Sequence, residues 1–281
     1  LAASQDRLIE KQLFQQLGIA TAPHAAIDSV DDLHDAVEQL GTPAILKTRR
    51  LGYDGKGQAA VNTADDAEAA WSTIGKQPAI LESKIEFERE LSQIAVRSAN
   101  GETAFYPLTQ NVHSDGILRE SRAPAPDMPD QLTSTAQRYA TALLGELNYV
   151  GVLTLELFDP GDGQLIANEI APRVHNSGHW TIDAAPTSQF ENHVRAVLGL
   201  PLGATSPARP CVMLNLIGGA PATADVLAVP GARLHLYDKD PRPGRKIGHI
   251  TLTATDRGST NSVSIEEGLA RLRPLVDAAA A

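Results

Sequence analysis

The stretch Gly52-Tyr53-Asp54-Gly55-Lys56-Gly57-Gln58 separates two strand-like runs, 44–47 and 58–61. Its three glycines let backbone N–H groups approach phosphate oxygens with no side chain in the way, while Lys56 adds positive charge and Tyr53 a hydroxyl. The stretch therefore reads as a lid over a polyphosphate. A hairpin tip is the competing reading, because Asp54-Gly55 is also a favoured two-residue turn. The rest of the chain has to decide between them.

A chain of 281 residues with 42% hydrophobic content can bury sizeable cores, and its length suggests about two domains. With 24 Lys+Arg against 34 Asp+Glu the formal charge is −10, which disfavours a nucleic-acid or anionic-membrane surface and makes any basic cluster stand out. Cys211 is the only cysteine, which excludes an intrachain disulfide framework and fits a reducing cytoplasm. No apolar run approaches the length of a membrane span. The start, Leu1-Ala-Ala-Ser-Gln-Asp-Arg, has neither an initiator methionine nor a signal-like hydrophobic region, so upstream sequence is expected to be missing.

Along the chain, residues 6–17 read as a helix with Ile9, Leu13 and Leu17 on one face, ended by Gly18. Ser29-Val-Asp-Asp32 and Thr63-Ala-Asp-Asp66 are capping boxes that open two further helices. With the strands 44–47, 58–61 and 79–82 they make a small α+β unit. Asn100-Gly101 predicts a hairpin within 90–110, and Leu132, Ala136, Tyr139 and Leu143 mark an amphipathic helix of a second α+β unit. Proline-rich stretches at 123–129 and 201–210 read as a surface loop and a connection into a smaller terminal module.

Val152, Thr154, Glu156 and Phe158 alternate with Leu153, Leu155 and Leu157, and a second alternating run follows Gly163. If Asp162-Gly163 is a two-residue turn, Gly161 faces Gln164 and Glu156 stands opposite Glu169. Like charges there are destabilising unless neutralised, and a hard divalent cation with oxygen ligands is the natural candidate. A solvated strand face is the alternative. Downstream, Arg173, His175, Asn176 and His179 cluster in a donor-rich loop that suits a small oxyanion. Zinc is the competing reading because His175 and His179 are four apart, but Pro172 and Gly178 argue against the helix it needs. The run Lys239-Asp-Pro-Arg-Pro-Gly-Arg245-Lys246 concentrates four cations and suits a phosphate monoester, or else is a solvated basic turn.

Four segments resemble the ATP-grasp superfamily and, within it, the 5-(carboxyamino)imidazole ribonucleotide synthases. They are Asp6-Arg7-Leu8 with Lys11-Gln12-Leu13-Phe14, residues 47–58, Asn168-Glu-Ile-Ala-Pro-Arg-Val-His-Asn-Ser-Gly-His-Trp180, and Arg242-Pro-Gly-Arg-Lys-Ile-Gly-His249. Other superfamily members usually carry a third, asparagine metal ligand two residues after the second glutamate; here that position is Ala171.

The resemblance implies an α+β ATP-grasp fold in which two α+β subdomains clasp the nucleotide beside a small C-terminal β-rich module. The expected divisions are an opening helix and linker at 1–26, a lid at 27–83, a catalytic subdomain at 84–205 and a C-terminal domain at 206–281. It implies ATP and Mg2+ as cofactors, the latter on Glu156 and Glu169. It also implies ATP contacts from Arg7, Lys47, Gly52, Tyr53, Asp54, Gly55, Lys56, Gly57, Gln58, Asn168 and Glu169. Glu82, Ser83, Lys84 and Ile85 would form the adenine hinge, Glu90 would accept from the ribose and His113 would reach the nucleotide. Tyr53, Lys56, Arg173, His175, Asn176 and Lys246 are the implied catalytic set. Tyr53, Asp54, Lys239, Arg245 and Lys246 are the implied contacts to aminoimidazole ribonucleotide. Read without the resemblance, Arg7, Glu82, Glu90 and His113 are ordinary solvated side chains.

The implied activity is ATP-dependent carboxylation of aminoimidazole ribonucleotide with bicarbonate in purine biosynthesis, by a cytoplasmic homodimer with no nucleic-acid or membrane partner. Family members carry an N-terminal Rossmann-like domain ahead of the region matched here. Two alternatives stay open: another ATP-grasp ligase, such as a formate-using glycinamide ribonucleotide transformylase, and a nucleotide-binding module without catalysis.

Overall fold

A computed structural model describes residues 2–52, 57–255 and 263–280. Its first elements are α1 (Arg7–Gln16), β1 (His24–Ile27), α2 (Val30–Leu40), β2 (Ala44–Thr48), β3 (Gln58–Val61), α3 (Ala67–Thr73) and β4 (Ala79–Ser83). The strands form an antiparallel sheet in the order β1-β4-β2-β3. The Ser29/Asp32 box starts α2, and the Thr63/Asp66 box starts a 3-10 turn that leads into α3. Both helices press Leu33, Val37, Trp71 and Ile74 onto Ile27, Leu46 and Leu81 of the sheet.

Tyr53, Asp54, Gly55 and Lys56 lie outside the described residues. Gly57, which follows them, has φ +72°, and a Cβ there would sit 2.6 Å from Thr48 Oγ1. The β2–β3 hairpin itself therefore requires this glycine, whatever approaches the loop from outside.

The second part contains β5 (Arg89–Arg97), β6 (Thr103–Phe105), β7 (Thr109–Ser114), β8 (Ile117–Ala123), α4 (Asp130–Glu146), β9 (Gly151–Asp159), β10 (Ile166–Ala171), α5 (Thr181–Ala184) and α6 (Gln189–Val197). It continues through β11 (Cys211–Ile217), α7 (Thr223–Leu227), β12 (Ala232–Leu236), β13 (Lys246–Thr253) and α8 (Ile265–Ala280). These strands make one antiparallel sheet, β10-β9-β5-β7-β8-β11-β13-β12, with β6 beside β5. The C-terminal strands thus continue the large sheet, since β11 pairs with both β8 and β13.

Strand alternation sorts this sheet into two faces. Leu91, Leu153, Leu155 and Leu157 turn toward α1 and α4, with Leu13, Phe14, Ala136 and Leu143 closing that core. Further along, Val212, Leu214, Ile250 and Leu252 pack against Leu269 and Leu272 of α8. The register places Glu90, Ser92, Asn111 and Glu156 on the other face. Among the described residues no helix is long and apolar enough to cross a membrane.

Helix α1 joins the two sheets. Its buried residues are Glu10, Lys11, Leu13 and Phe14, whereas Ile9, expected inside, is 41% exposed. The inward face is partly ionic: Lys11 Nζ donates to the Asn168 carbonyl on β10 at 2.7 Å and meets Glu82 of β4 at 3.2 Å, while Glu10 accepts from Ile170 N–H at 2.8 Å. Asp6 caps α1 through Leu8 N–H and also accepts from Arg49 and Arg50, just after β2. Burial alone would raise the Glu82 carboxyl, but Lys47 and Lys11 outweigh it and hold the group down at about 2. Its stabilising contribution is therefore complete above the ordinary glutamate range and is lost as the pH falls toward 2. Lys11→Met should cost about 2 kcal/mol in urea unfolding at pH 7, because it leaves the Asn168 carbonyl unpaired and the buried Glu82 carboxylate with Lys47 as its remaining cation. A loss below ~1 kcal/mol would put the contact in the class of surface ion pairs.

Candidate active site

The two glutamates meet by a different route from the one their spacing suggests. β9 and β10 are joined by residues 160–165 rather than by a two-residue turn, and Asp159 and Asp162 side chains accept from Gly161 and Gln164 N–H in that loop. A bulge in β10 makes up the difference. Ala167 pairs with Leu157 but Ile170 pairs with Leu155, so Asn168 and Glu169 together oppose Glu156.

Burial, followed by the charge of Glu169, pushes the Glu156 carboxyl up to about 7. Glu169 feels the same burial, but the guanidinium of Arg7, 2.9 Å away, holds it below the usual carboxylate range. Arg7 is the first residue of α1, where a cation opposes the helix dipole. Its partner Glu169 explains the placement.

The loop after β10 is folded by Gln189, which donates to the His175 carbonyl at 2.6 Å and accepts from His175 N–H at 2.9 Å. His175 is the N-cap of a 3-10 turn, Asn176–Gly178, and its ring accepts from Ser177 N–H through Nδ1. The ring hydrogen is thereby placed on Nε2, 3.2 Å from Glu156 Oε1. Burial and the charge of Arg173 bring this imidazole down to about 4. Asn176 Oδ1 accepts from Lys246 at the start of β13, and Lys246 Nζ lies 3.1 Å from His179 Nδ1. His175 and His179 therefore face different partners, without the shared helix face of the zinc reading.

A small cleft between β5, β7, β9 and β10 is lined by Glu90, Asn111, His113, Glu156, Phe158 and Asn168. His113 contacts Glu90; burial would lower this imidazole, but the Glu90 carboxylate raises it above its ordinary value. Lys47 donates to Glu82 at 3.1 Å. Ser83 and Lys84 N–H are bonded to the Pro23 and Pro43 carbonyls, which fixes the segment leading to Ile85. Lys239 and Lys246 lie 5.7 Å and 5.4 Å from the Tyr237 ring centre, and Arg245 donates to the Asp240 carbonyl. Gly52 and Gln58 flank the undescribed part of the lid, with Gln58 paired to Lys47. A cavity of about 970 Å³ lies beside α8 and is lined by none of these residues.

The ATP-grasp domain family matches residues 12–190, and the phosphoribosylaminoimidazole carboxylase C-terminal domain family matches residues 211–262. The N5-carboxyaminoimidazole ribonucleotide synthase of Pseudomonas aeruginosa is 47% identical over 278 residues, covering 99% of this chain and 75% of that protein. This chain belongs to that ATP-grasp family. The synthetase structure from Thermus thermophilus superposes with a TM-score of 0.90 at 51% identity, over 98% of this chain and 73% of its own. The Aspergillus clavatus enzyme, solved in complex with ADP and 5-aminoimidazole ribonucleotide, gives a TM-score of 0.87 at 33% identity, over 99% of this chain and 74% of its own. The ATP-grasp family and fold expected from the four motifs are borne out.

Residues without a role in the sequence reading also line this region: Lys11 and Glu10 under the bulge, Gln189 under the His175 loop, and Tyr237 and His249 beside Lys246. Among the described residues, Asp183, His235 and His249 converge as three potential metal ligands. However, the two rings stack at 4.5 Å with 9° between planes, so their in-plane lone pairs run side by side instead of meeting at a common ion.

The Glu156 pair offers a direct check by NMR on carboxyl-labelled protein free of metal and nucleotide. Glu156 should titrate with a midpoint near 7, and Glu169→Gln should shift that midpoint down by removing the neighbouring negative charge. An unchanged or raised midpoint would show that the two carboxylates do not interact.

Proposed function

We propose that this chain catalyses ATP-dependent carboxylation of 5-aminoimidazole ribonucleotide by bicarbonate, giving 5-(carboxyamino)imidazole ribonucleotide, ADP and phosphate. The observation that carries this reading is the adjacency of two unlike sites. The Glu156/Glu169 pair, flanked by Arg7, adjoins the His175–Asn176 turn, which Lys246 ties to the C-terminal strands.

The carboxylate pair fits a hard dication, since both donors are oxygens and the Glu156 carboxyl is raised by burial and then by the charge of Glu169, a repulsion that a metal would relieve. Mg2+ held by Glu156 and Glu169 would neutralise the phosphate charge of ATP and ease displacement at the terminal phosphorus.

The chain's own groups do the positioning. Arg7 and Lys47, with Gly52, Gly57, Gln58 and the intervening Tyr53, Asp54, Gly55 and Lys56, draw in the phosphates. Lys47 comes with its partner Glu82, whose side chain faces inward. Glu82 through its backbone, Ser83, Lys84 and Ile85 receive the adenine, Glu90 takes the ribose hydroxyls with His113 beside it, and Asn168 lines the same cleft. Arg173, His175 and Asn176 hold bicarbonate, and one of its oxygens attacks the terminal phosphorus to release ADP and give carboxyphosphate. The exocyclic amine of the ribonucleotide takes up the carboxyl group as phosphate leaves. Lys239 and Arg245 bind the 5′-phosphate, and Lys246 serves the reacting carboxylate, a role the resemblance also gives to Tyr53, Asp54 and Lys56. Residues 27–83 act as the lid, and its closure keeps water from the mixed anhydride.

ADP release should require both bicarbonate and aminoimidazole ribonucleotide. Turnover with formate would assign another ATP-grasp ligase, and ATP binding without turnover a non-catalytic module. Glu156→Gln and Glu169→Gln should each abolish ADP release in a folded protein; near-normal release by both would remove the metal assignment.

Arg245→Ala should weaken aminoimidazole ribonucleotide binding by roughly ten- to hundredfold, the usual effect of losing a charge-assisted contact, while ATP binding stays within about twofold. Separate titrations of the two ligands provide the check. Equal losses would indicate a folding defect, and no loss would return the cluster to a solvated turn.

A further inference from the structure

Lys246 is backed by a chain of polar groups that runs from the site into the C-terminal strands. His179 Nδ1 lies 3.1 Å from Lys246 Nζ and 2.9 Å from the Tyr237 hydroxyl, which also contacts His249 Nδ1. His249 is 1% exposed and stacks on His235, whose Nε2 is 2.8 Å from Asp183.

The hydrogens in this chain can be assigned by elimination. An ammonium only donates, so His179 Nδ1 must accept and carries no hydrogen. The Tyr237 hydrogen can then point to His179, sharing the one Nδ1 lone pair with Lys246, or to His249. The second direction would put a hydrogen on His249 Nε2, which is buried without a partner among the described residues. A buried acceptor left unpaired is better tolerated than a buried N–H, so the first direction is favoured and His249 Nδ1 donates to the Tyr237 oxygen. That leaves His249 Nε2 as a bare lone pair. The neutrality of both rings fits their surroundings: burial and the Lys246 charge bring His179 down to about 2, and burial with its cationic neighbours brings His249 to about 3. His235 donates from Nε2 to the Asp183 carboxylate, and its ring buttresses His249 from one face.

We propose that Tyr237, His179 and His249 are positioning residues that hold the Lys246 ammonium at a set angle to the reacting carboxyl group. This rests on the reading of Lys246 as a substrate-side residue. The Tyr237 ring supports Lys246 by its π face, and its hydroxyl locks the two histidines in opposite tautomers. Tyr237→Phe removes the lock and keeps the ring.

The experiment is carried out on the full chain with Mg-ATP, bicarbonate and aminoimidazole ribonucleotide, alongside long-range 15N–1H NMR of histidine-labelled protein. The wild type should show His179 as the Nε2–H tautomer and His249 as the Nδ1–H tautomer at pH 7. Tyr237→Phe should lower kcat about tenfold while the ribonucleotide KM stays within about twofold and the melting temperature is kept, as expected when a single positioning hydrogen bond is lost. His249→Asn, whose amide N–H₂ sits near the Nδ1 position, should retain activity that Tyr237→Phe loses. An Nε2–H tautomer or a cationic ring at His249, or an unchanged kcat in Tyr237→Phe, would overturn the proposal. The expected tautomers together with a Lys246→Ala variant of normal turnover would remove the role assigned to Lys246 and with it the catalytic purpose of the network.

Discussion

The relation between the two sheets depends on one buried cation. Lys11 holds a backbone carbonyl of β10 and a carboxylate of β4 with the same ammonium group, and it sits on the helix whose first residue reaches Glu169. Desolvating an ammonium costs several kcal/mol, which its two acceptors offset only in this geometry. An apolar side chain would fill the same space without specifying where Glu82 lies relative to Asn168. The ion network therefore contributes alignment: it fixes Glu82 on β4 of the small sheet against the bulge that presents Asn168 and Glu169.

The large sheet supplies the second constraint. Because β11 runs between β8 and β13, the C-terminal strands are continuous with those carrying Glu90 and Glu156. A separate module packed through side chains could shift by an ångström without breaking a backbone ladder, and displacements of that size are costly for reacting groups. Hydrogen-bonded continuity sets Lys246, at the first position of β13, where it meets Asn176 from the loop after β10.

The capping boxes, the Asn100-Gly101 hairpin and the alternation of β9 were legible in the sequence because each is local and the structure keeps each of them. The opposition of Glu156 and Glu169 was also reached, though by a wrong turn: the spacing counts correctly only because a bulge adds back the residue that the longer loop removes. Bulges leave no distinct residue signature here. The inward face of α1 was misread for a different reason. Periodicity assigns charged residues to solvent, and nothing local announces that Lys11 will find its acceptors in segments 71 and 157 residues away. The shared role of Tyr237, His249 and Asp183 was likewise invisible, since it exists only after β12, β13 and α5 converge. Gly57 shows the converse: its presence was noted, but the Thr48 contact gives it a local steric reason independent of phosphate.

The histidines divide according to what surrounds them, and the division suits a planar oxyanion. His113 beside Glu90 is raised, whereas His175, His179 and His249, buried near fixed cations, are held neutral. A cationic imidazole offers two donors and accepts nothing, while a neutral one offers a donor on one nitrogen and an acceptor on the other, in an order set by its neighbours. Bicarbonate carries both acceptor oxygens and an O–H, so a wall of donors alone would bind it in several orientations of similar energy. Ser177 fixes the tautomer of His175, and Tyr237 fixes those of His179 and His249. In the proposed reaction the charge needed to hold an anion then comes from Arg173 and Lys246. The direction of attack is left to groups whose hydrogens cannot be exchanged between nitrogens without breaking a bond to a neighbour.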